Sequence, residues 1–147
     1  MSRVVSMRIQ EEQMERLGRL ARQLGRSPSE TSALLVEESL RRSEFAYLDF
    51  RNSPVGRQAF VQGTSLAVWE VALVGQSYGM NPERTAAHLQ WPLPRVQAAL
   101  NYATAFLDEI EAAIQDNEAL DFETLSRMLP QATRFVVRED EGSGMEQ

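Results

Sequence analysis

The chain opens with a short segment, Val4–Ile9, in which apolar and polar residues alternate as they do in a half-buried β-strand. Val5, Met7 and Ile9 fall on one face of this strand, and the residues between them fall on the other. A strand of this length cannot fold alone, because its backbone groups and its apolar face both lack a partner. Two copies of the chain can supply that partner to each other as an antiparallel ribbon. The segment therefore predicts a homodimer.

Two short amphipathic helices are predicted to follow the strand. The first spans about Glu11–Leu24, where apolar residues recur every three or four positions. Gly25 is placed to end it in the left-handed conformation. Ser27 can cap the second helix, Pro28 fits its first position, and Glu30 can reach back to complete a capping box. The opening of the chain thus has the order strand, helix, helix.

Composition excludes several classes of protein. A chain of 147 residues with 43% hydrophobic and 24% charged residues is expected to be globular. There is no cysteine and only one histidine, His88, which excludes disulfides, thiolate chemistry and multi-histidine metal sites. No catalytic triad, phosphate-binding loop or metal-ligand cluster can be assembled, so we expect no enzyme activity, no cofactor and no metal. An apolar run of about 20 residues is also missing, so we expect a cytoplasmic protein without a membrane span.

Charge is distributed unevenly along the chain. Residues 1–43 carry eight arginines against six glutamates, whereas residues 44–147 carry seven arginines against fifteen acidic residues. All basic residues are arginine, and Arg41 and Arg42 are predicted to end the second helix near its negative end. A basic head on an acidic body suits a protein whose front meets nucleic acid while the rest meets protein or solvent.

The sequence of residues 3–42 resembles the ribbon-helix-helix family of repressors and antitoxins. The run reads "RVVSMRIQEEQMERLGRLARQLGRSPSETSALLVEESLRR". The resemblance implies that the outward strand residues of two subunits read base edges in the DNA major groove. These are Val4, Ser6 and Arg8. Arg8 suits a bidentate contact with guanine, and Val4 suits a thymine methyl group.

The same resemblance implies that the start of the second helix holds a DNA phosphate. Ser27, Ser29 and free backbone N–H groups would bind it there, with Arg3 and Arg26 adding backbone contacts. Each of these residues also has an ordinary alternative, since Ser27 caps the helix in any case and an exposed arginine can simply be solvated. An unprotected strand edge is an aggregation hazard, which favours the DNA role for the ribbon.

A second module with a small β element is predicted from residue 44 onward. Phe45–Phe50 alternates like a strand, Asn52–Pro54 marks a turn, and Gln58–Val61 forms a second strand. Leu66–Val68 is a further extended piece. Three helices are expected after it, over about 68–78, 82–90 and 94–115, with Asn81 as the cap of the middle one. The short helix, tight turn and long helix predict a trihelical unit of helix-turn-helix type.

Residues 45–112 resemble the small homeodomain-like antitoxin domain of VapB type. The motifs are "FVQGTSLAV" at Phe60–Val68 and "ALNY" at Ala99–Tyr102, and the usual Gly-Gly turn before the first motif is Gly56-Arg57 here. Such domains are commonly encoded beside a PIN-like ribonuclease toxin. The resemblance therefore implies a cognate toxin as the protein partner.

Charge argues that this second module binds a protein partner or builds a dimer rather than contacting DNA. The predicted recognition helix carries Arg95 near its start but is acidic from Asp108 onward, so the phosphate backbone would repel it. The larger aromatic residues, Trp69, Trp91 and Tyr102, are expected in a core or an interface. His88 is expected to be a packing residue.

The tail, residues 118–147, has two open interpretations. Asp121–Leu129 is predicted as a brief helix capped by Asp121, and 132–138 as an extended piece before a polar end. In one interpretation the extended piece wraps the toxin, and an arginine enters its carboxylate-rich site. In the other it is a last strand packed on the chain's own β element. The predicted toxin contacts are Arg134, Phe135, Val136 and Arg138.

Together these patterns predict a mainly α protein with short β structure, in three parts: 1–43, 44–117 and 118–147. The first part is a dimeric ribbon-helix-helix module, and the second is a trihelical domain with a small β element. The expected function is that of an antitoxin that neutralises a PIN-like ribonuclease and represses its own operon by binding operator DNA. The alternative is a stand-alone dimeric repressor that has an oligomerisation or sensor domain and no toxin.

Overall fold

A computed structural model describes residues 2–128, and it describes side chains through residue 118. Within this range the protein is mainly helical with one two-stranded antiparallel sheet. In chain order the elements are α1 (Glu11–Leu24), α2 (Pro28–Glu44), β1 (Leu48–Ser53), β2 (Gly56–Val61), α3 (Val68–Ser77), α4 (Pro82–Leu89), α5 (Leu93–Ala105) and α6 (Leu107–Met128).

Local capping signals set the ends of the first two helices. Gly25 ends α1 at φ 65°, and its N–H donates back to the last turn of the helix. At the start of α2 the Ser27 hydroxyl accepts the Glu30 N–H at 3.1 Å, as predicted. The Glu30 side chain does not reach back to the cap backbone; its carboxylate instead accepts the Ser27 hydroxyl at 3.2 Å. At its other end α2 passes Arg41 and continues to Glu44.

Replacing the Ser27 cap is expected to weaken α2 measurably. Ser27→Ala leaves the Glu30 N–H without its acceptor, and loss of such a cap costs about 1 kcal/mol. Thermal unfolding of the variant at fixed protein concentration should show the melting temperature falling by a few degrees. Ser29→Ala is the matched control, because Ser29 is exposed in the first turn. Equal melting temperatures for the Ser27 variant and the wild type would contradict the capping role.

The predicted β element is a hairpin. β1 pairs with β2 in the register Leu48↔Val61 to Ser53↔Gly56, which leaves Pro54 and Val55 as a two-residue turn. The first strand begins three residues later than Phe45, where the prediction placed it. Ala67 forms an isolated bridge with Phe60 and so extends the paired region to the predicted third extended piece.

The hydrophobic core is formed entirely by residues that follow α2 in the chain. α3, α4 and α5 pack on one another, and α3 also contacts the hairpin and α6. Tyr102 is 1% exposed at the centre, with Trp69 and Trp91 packed against the core, as the sequence predicted. No residue from 2–44 belongs to this core. In α1 the only buried residue is Ala21.

The single long helix predicted over 94–115 is wrong. α5 ends at Ala105, and the chain turns at Phe106 before α6 begins. The apolar residues keep their spacing of three and four across this turn, so periodicity alone cannot reveal it. Leu107, the first residue after this break, is 47% exposed.

The brief helix predicted to start at Asp121 is also wrong. The backbone of α6 runs without a break to Met128, so position 121 lies in a helix interior rather than at a cap. The extended piece predicted over 132–138 lies outside the described residues. Among the helices of the described part, none is both long and apolar enough to cross a bilayer.

Candidate nucleic-acid interface

The opening segment has no regular secondary structure in the single chain. Residues 2–10 form neither helix nor strand, and all of them are exposed. Val5 and Met7, which the alternation assigned to a buried face, are 81% and 71% exposed. The predicted strand depends on a second copy, so the single chain leaves this prediction open.

An apolar groove lies where the opening segment meets α1 and α2, the helices of the front module (residues 1–43). Ile9 lies at one end of it, and Leu17, Leu20 and Leu35 line it. Ile9 is 42% exposed, about half the exposure of Val4 and Val5 before it, so the chain begins to settle onto this groove as it enters α1.

The residues predicted to read bases are all free to meet a ligand. Val4, Ser6 and Arg8 are exposed and alternate along the chain. Val4 is 92% exposed. Arg3, predicted to contact the DNA backbone, is exposed beside them. No ion pair joins Arg3 or Arg8 to another described residue.

The start of α2 offers a phosphate fewer donors than the sequence suggested. Pro28 has no N–H, and the Glu30 N–H already donates to Ser27. The Ser29 N–H is therefore the free backbone donor of the first turn, with the exposed Ser29 hydroxyl and Arg26 nearby in sequence. The Glu30 carboxylate, which accepts the Ser27 hydroxyl, adds negative charge that opposes phosphate at this end.

The second module presents little that suits a duplex. Arg95 at the start of α5 does not project freely: its guanidinium lies 5.6 Å from the Trp91 ring, and its Nε is buried. Further along the exposed face, Gln97 donates its amide to Asn101 at 3.0 Å. The acidic residues Asp108 and Glu109 open α6 just beyond. This geometry agrees with the charge argument against DNA contact by α5.

His88 is exposed on α4, and this corrects its expected packing role. Its Nδ1 lies 2.9 Å from the Tyr78 hydroxyl, and the two rings meet edge to face at 5.6 Å. The pair joins the end of α3 to α4 at the surface. Within the described residues no three potential histidine or carboxylate ligands cluster as a metal site would require.

A buried ion pair joins α2 to the hairpin. Glu38 is 2% exposed, and its carboxylate accepts the Arg57 guanidinium in a two-point contact, at 2.8 Å from Nη2 and 2.9 Å from Nε. The hydrogen bond to Glu38 raises the pKa of Arg57 above its usual value, which keeps the arginine charged. Arg42 adds a longer contact of 3.9 Å to the same carboxylate. Because both groups are largely removed from water, loss of either one would leave the other as an uncompensated buried charge.

A second polar cluster joins α2 to α5 and α6. Arg41 donates to the Tyr102 hydroxyl at 2.7 Å and to Glu109 at 2.8 Å, and its guanidinium lies 3.8 Å from the centre of the Phe106 ring. Tyr102 in turn donates to Glu109 at 2.7 Å. Burial raises the pKa of the Tyr102 phenol, and its hydrogen bond to Glu109 raises it further. Burial alone would lower the pKa of Arg41, but its bonds to Glu109 and Glu37 raise it overall.

Sequence reasoning did not find these two junctions. The Arg41 contacts span 61 and 68 residues along the chain, and no local pattern encodes such a distance. One signal was present for the other junction: Arg57 stands where the resembled domain has a second glycine. In the structure Arg57 is the partner of Glu38. Together the two junctions fix the C-terminal half of α2 against the second module.

The residues predicted to contact a toxin, Arg134, Phe135, Val136 and Arg138, lie outside the described residues. Comparisons with protein-family models, with curated proteins and with solved structures found no match to this chain.

Proposed function

We propose that this chain is a dimeric DNA-binding repressor whose second module and tail serve as an antitoxin for a PIN-like ribonuclease. The observation that carries the proposal is the incomplete front of the molecule. Residues 2–10 expose an alternating apolar row directly before a groove formed by Leu17, Leu20 and Leu35. A second copy would pair the strands and cover the row and the groove together.

Burial supports a front module that needs a partner. α1 and α2 contribute nothing to the hydrophobic core, and Val36 and Leu40 of α2 are each about half exposed. Helices this short owe most of their stability to packing of an apolar face. Leaving such a face in water forfeits about 25 cal/mol per Å² of apolar surface. Dimerisation is the simplest way to bury it.

Charge supports DNA as the ligand of the paired segment. Arg3 and Arg8 lie on the exposed segment, and Arg26 lies beside the start of α2. A dimer doubles these positive charges on one side of the assembly, where counterion release favours binding to a duplex. The second module is acidic, and the contacts of Arg41 and Glu38 join it to α2. Its negative charge suits a protein partner better than DNA.

Dimerisation is tested by light scattering at low micromolar concentration. We expect a dimer for the wild type and a monomer for Met7→Asp, because the aspartate would place a charge in the buried row of the ribbon. Leu73→Asp is the matched control, since Leu73 is also an exposed apolar residue but lies on α3. A well-folded wild-type monomer under these conditions would overturn the proposal.

The antitoxin role is tested by co-expression with a ribonuclease encoded beside this chain. The full chain should restore growth, and a 1–129 truncation should lose most of that protection if the tail wraps the toxin. Full protection by the truncation would assign toxin binding to the second module. If neither form protects against any neighbouring gene product, the chain is a repressor without a toxin.

A further inference from the structure

A shallow groove runs along one face of α1 and is lined by α1 residues alone. Glu11, Met14 and Glu15 line its first half, and Arg19 and Arg22 line its second half. Gly18 lies at the middle of this groove, and a Cβ added there would meet no atom within 4 Å. The groove exists because position 18 has no side chain.

No contact among the described residues requires glycine at position 18 of α1, because a side chain there would have room. Gly18 weakens α1, since glycine is a poorer helix former than alanine, and the single chain has room for a larger residue. Gly75 in α3 offers the contrast, because a Cβ there would lie 2.8 Å from the Leu100 side chain. Gly75 is thus required by packing within the chain, whereas Gly18 is not. Close approach of another helix backbone would require Gly18.

Along this face acidic residues precede Gly18 and basic residues follow it. Two copies packed antiparallel would therefore set the acidic half of one helix against the basic half of the other. Glu15 stands three residues before Gly18 and Arg22 stands four residues after it, which is about 4.5 and 6 Å along the helix axis. In an antiparallel pair crossing at Gly18, each Glu15 would therefore lie opposite Arg22 of the other copy. A parallel pair would set Glu15 against Glu15. Neither residue has an ion-pair partner among the described side chains.

We infer that the Gly18 face of α1 is a second self-association surface, on which two copies of the chain pack antiparallel with Gly18 at the crossing. The surface is isologous, because the same residues serve both copies. Met14, 48% exposed at the rim of the groove, adds an apolar contact. Acidic residues before basic ones also suit the helix dipole, but the dipole gives no reason for the glycine. One helix face buries little area, so association is expected to be weak and to need high concentration.

This surface lies on a different side of α1 from the groove around Leu17 and Leu20. It is therefore independent of the proposed ribbon dimer and of DNA binding. A chain with both contacts would join ribbon dimers into larger assemblies. Loss of one contact would leave the other measurable.

Disulfide trapping tests the contact directly, because the chain contains no cysteine. With helix axes about 8 Å apart, the Cα atoms of position 15 and of position 22 in the other copy would lie about 5 Å apart, within disulfide range. Two copies of position 15 would lie about 11 Å apart, beyond that range. We expect a mixture of Glu15→Cys and Arg22→Cys to form a crosslinked dimer at least about tenfold faster than either variant alone.

The matched control is a mixture of Arg16→Cys and Gln23→Cys. These positions are also seven residues apart and exposed, but they point about 100° away around the helix, on the side where Arg16 lines the groove around Leu17 and Leu20. The pair therefore also reports any crosslinking that the ribbon dimer itself allows. They should crosslink no faster in the mixture than alone. If the Glu15 and Arg22 mixture behaves like this control, the inference is wrong.

Charge reversal in the full chain gives a second test, which measures non-covalent association. Glu15→Arg should weaken self-association about 30-fold in sedimentation equilibrium at high concentration, because two attractive pairs become repulsive. Arg22→Glu should do the same, and the double variant Glu15→Arg/Arg22→Glu should recover most of the loss. Gly18→Leu should abolish the association while α1 remains helical by circular dichroism. An unchanged association constant in all four variants would overturn the inference.

Discussion

Replacing Arg8 with alanine is expected to remove sequence-specific binding to the DNA upstream of this chain's own coding sequence. Arg8 is exposed on the opening segment and has no ion-pair partner among the described residues, so its guanidinium is free for a base edge. A bidentate arginine–guanine contact discriminates by about 1–3 kcal/mol, and a dimer makes it twice. The specific dissociation constant should therefore rise by about 30-fold to about 20,000-fold, measured by fluorescence anisotropy or gel shift.

Two comparisons separate base reading from general charge loss. Arg84→Ala removes the same charge from α4, where Arg84 is exposed, and it should leave specific affinity nearly unchanged. Arg3→Ala should weaken specific and non-specific binding alike and should reduce the salt dependence, as loss of a phosphate contact does. Specific affinity that survives Arg8→Ala would remove the ribbon from DNA recognition, whatever the oligomeric state.

Replacing Arg57 with alanine is expected to destabilise the fold more than any other single surface change in the hairpin. The substitution leaves Glu38 buried at 2% exposure without its two-point partner. Removing one member of a buried ion pair costs about 3–5 kcal/mol. Because Arg42 keeps a contact at 3.9 Å, we expect a loss near the lower end, about 3 kcal/mol in the free energy of unfolding.

Urea unfolding at one fixed protein concentration measures this effect, since association also changes apparent stability. Arg84→Ala again serves as the control, and its loss should stay below about 0.5 kcal/mol. The double variant Glu38→Met/Arg57→Met should recover most of the stability, because apolar residues of similar volume replace the charges. A stability of Arg57→Ala close to that of the wild type would show that water or Arg42 compensates Glu38.

The two junctions also bear on how the modules of the proposed regulator cooperate. Arg41 and Glu38 both lie in the second half of α2, and both are held by residues of the second module. α2 is therefore shared between the front of the chain and the core behind it. A partner that binds the second module at the exposed Glu109 would contact the cluster that holds Arg41 of α2, the helix that carries Ser27 at its other end. α2 thus connects the proposed phosphate-binding position at Ser27 to the second module.

Local structure could be predicted from the sequence wherever a short-range signal determines it. Gly25 and Ser27 set the ends of α1 and α2, and Asn81 caps α4 by accepting the Arg84 N–H at 2.9 Å. The turn signal at Asn52–Pro54 falls where the chain reverses between β1 and β2. Each of these signals acts over four residues or fewer, so the residues alone carry the information.

Elements that depend on distant contacts could not be predicted in this way. The turn at Phe106 has no glycine or proline to announce it, and the apolar spacing continues across it. The Phe106 ring packs between Tyr102 and the guanidinium of Arg41, and only the folded chain brings these groups together. The open position at Gly18 is likewise invisible in the sequence, where a glycine in a helix merely looks unfavourable.

The sequence by itself determined that residues 4–9 alternate, that two short helices follow, and that positive charge gathers at this end. Only the tertiary structure decided that the core excludes all of residues 2–44 and that α2 is held to it by Glu38 and Arg41. Alternation, caps and charge are properties of neighbouring residues. Burial and ion pairing depend on which distant surfaces meet, and the chain acquires those only when it folds.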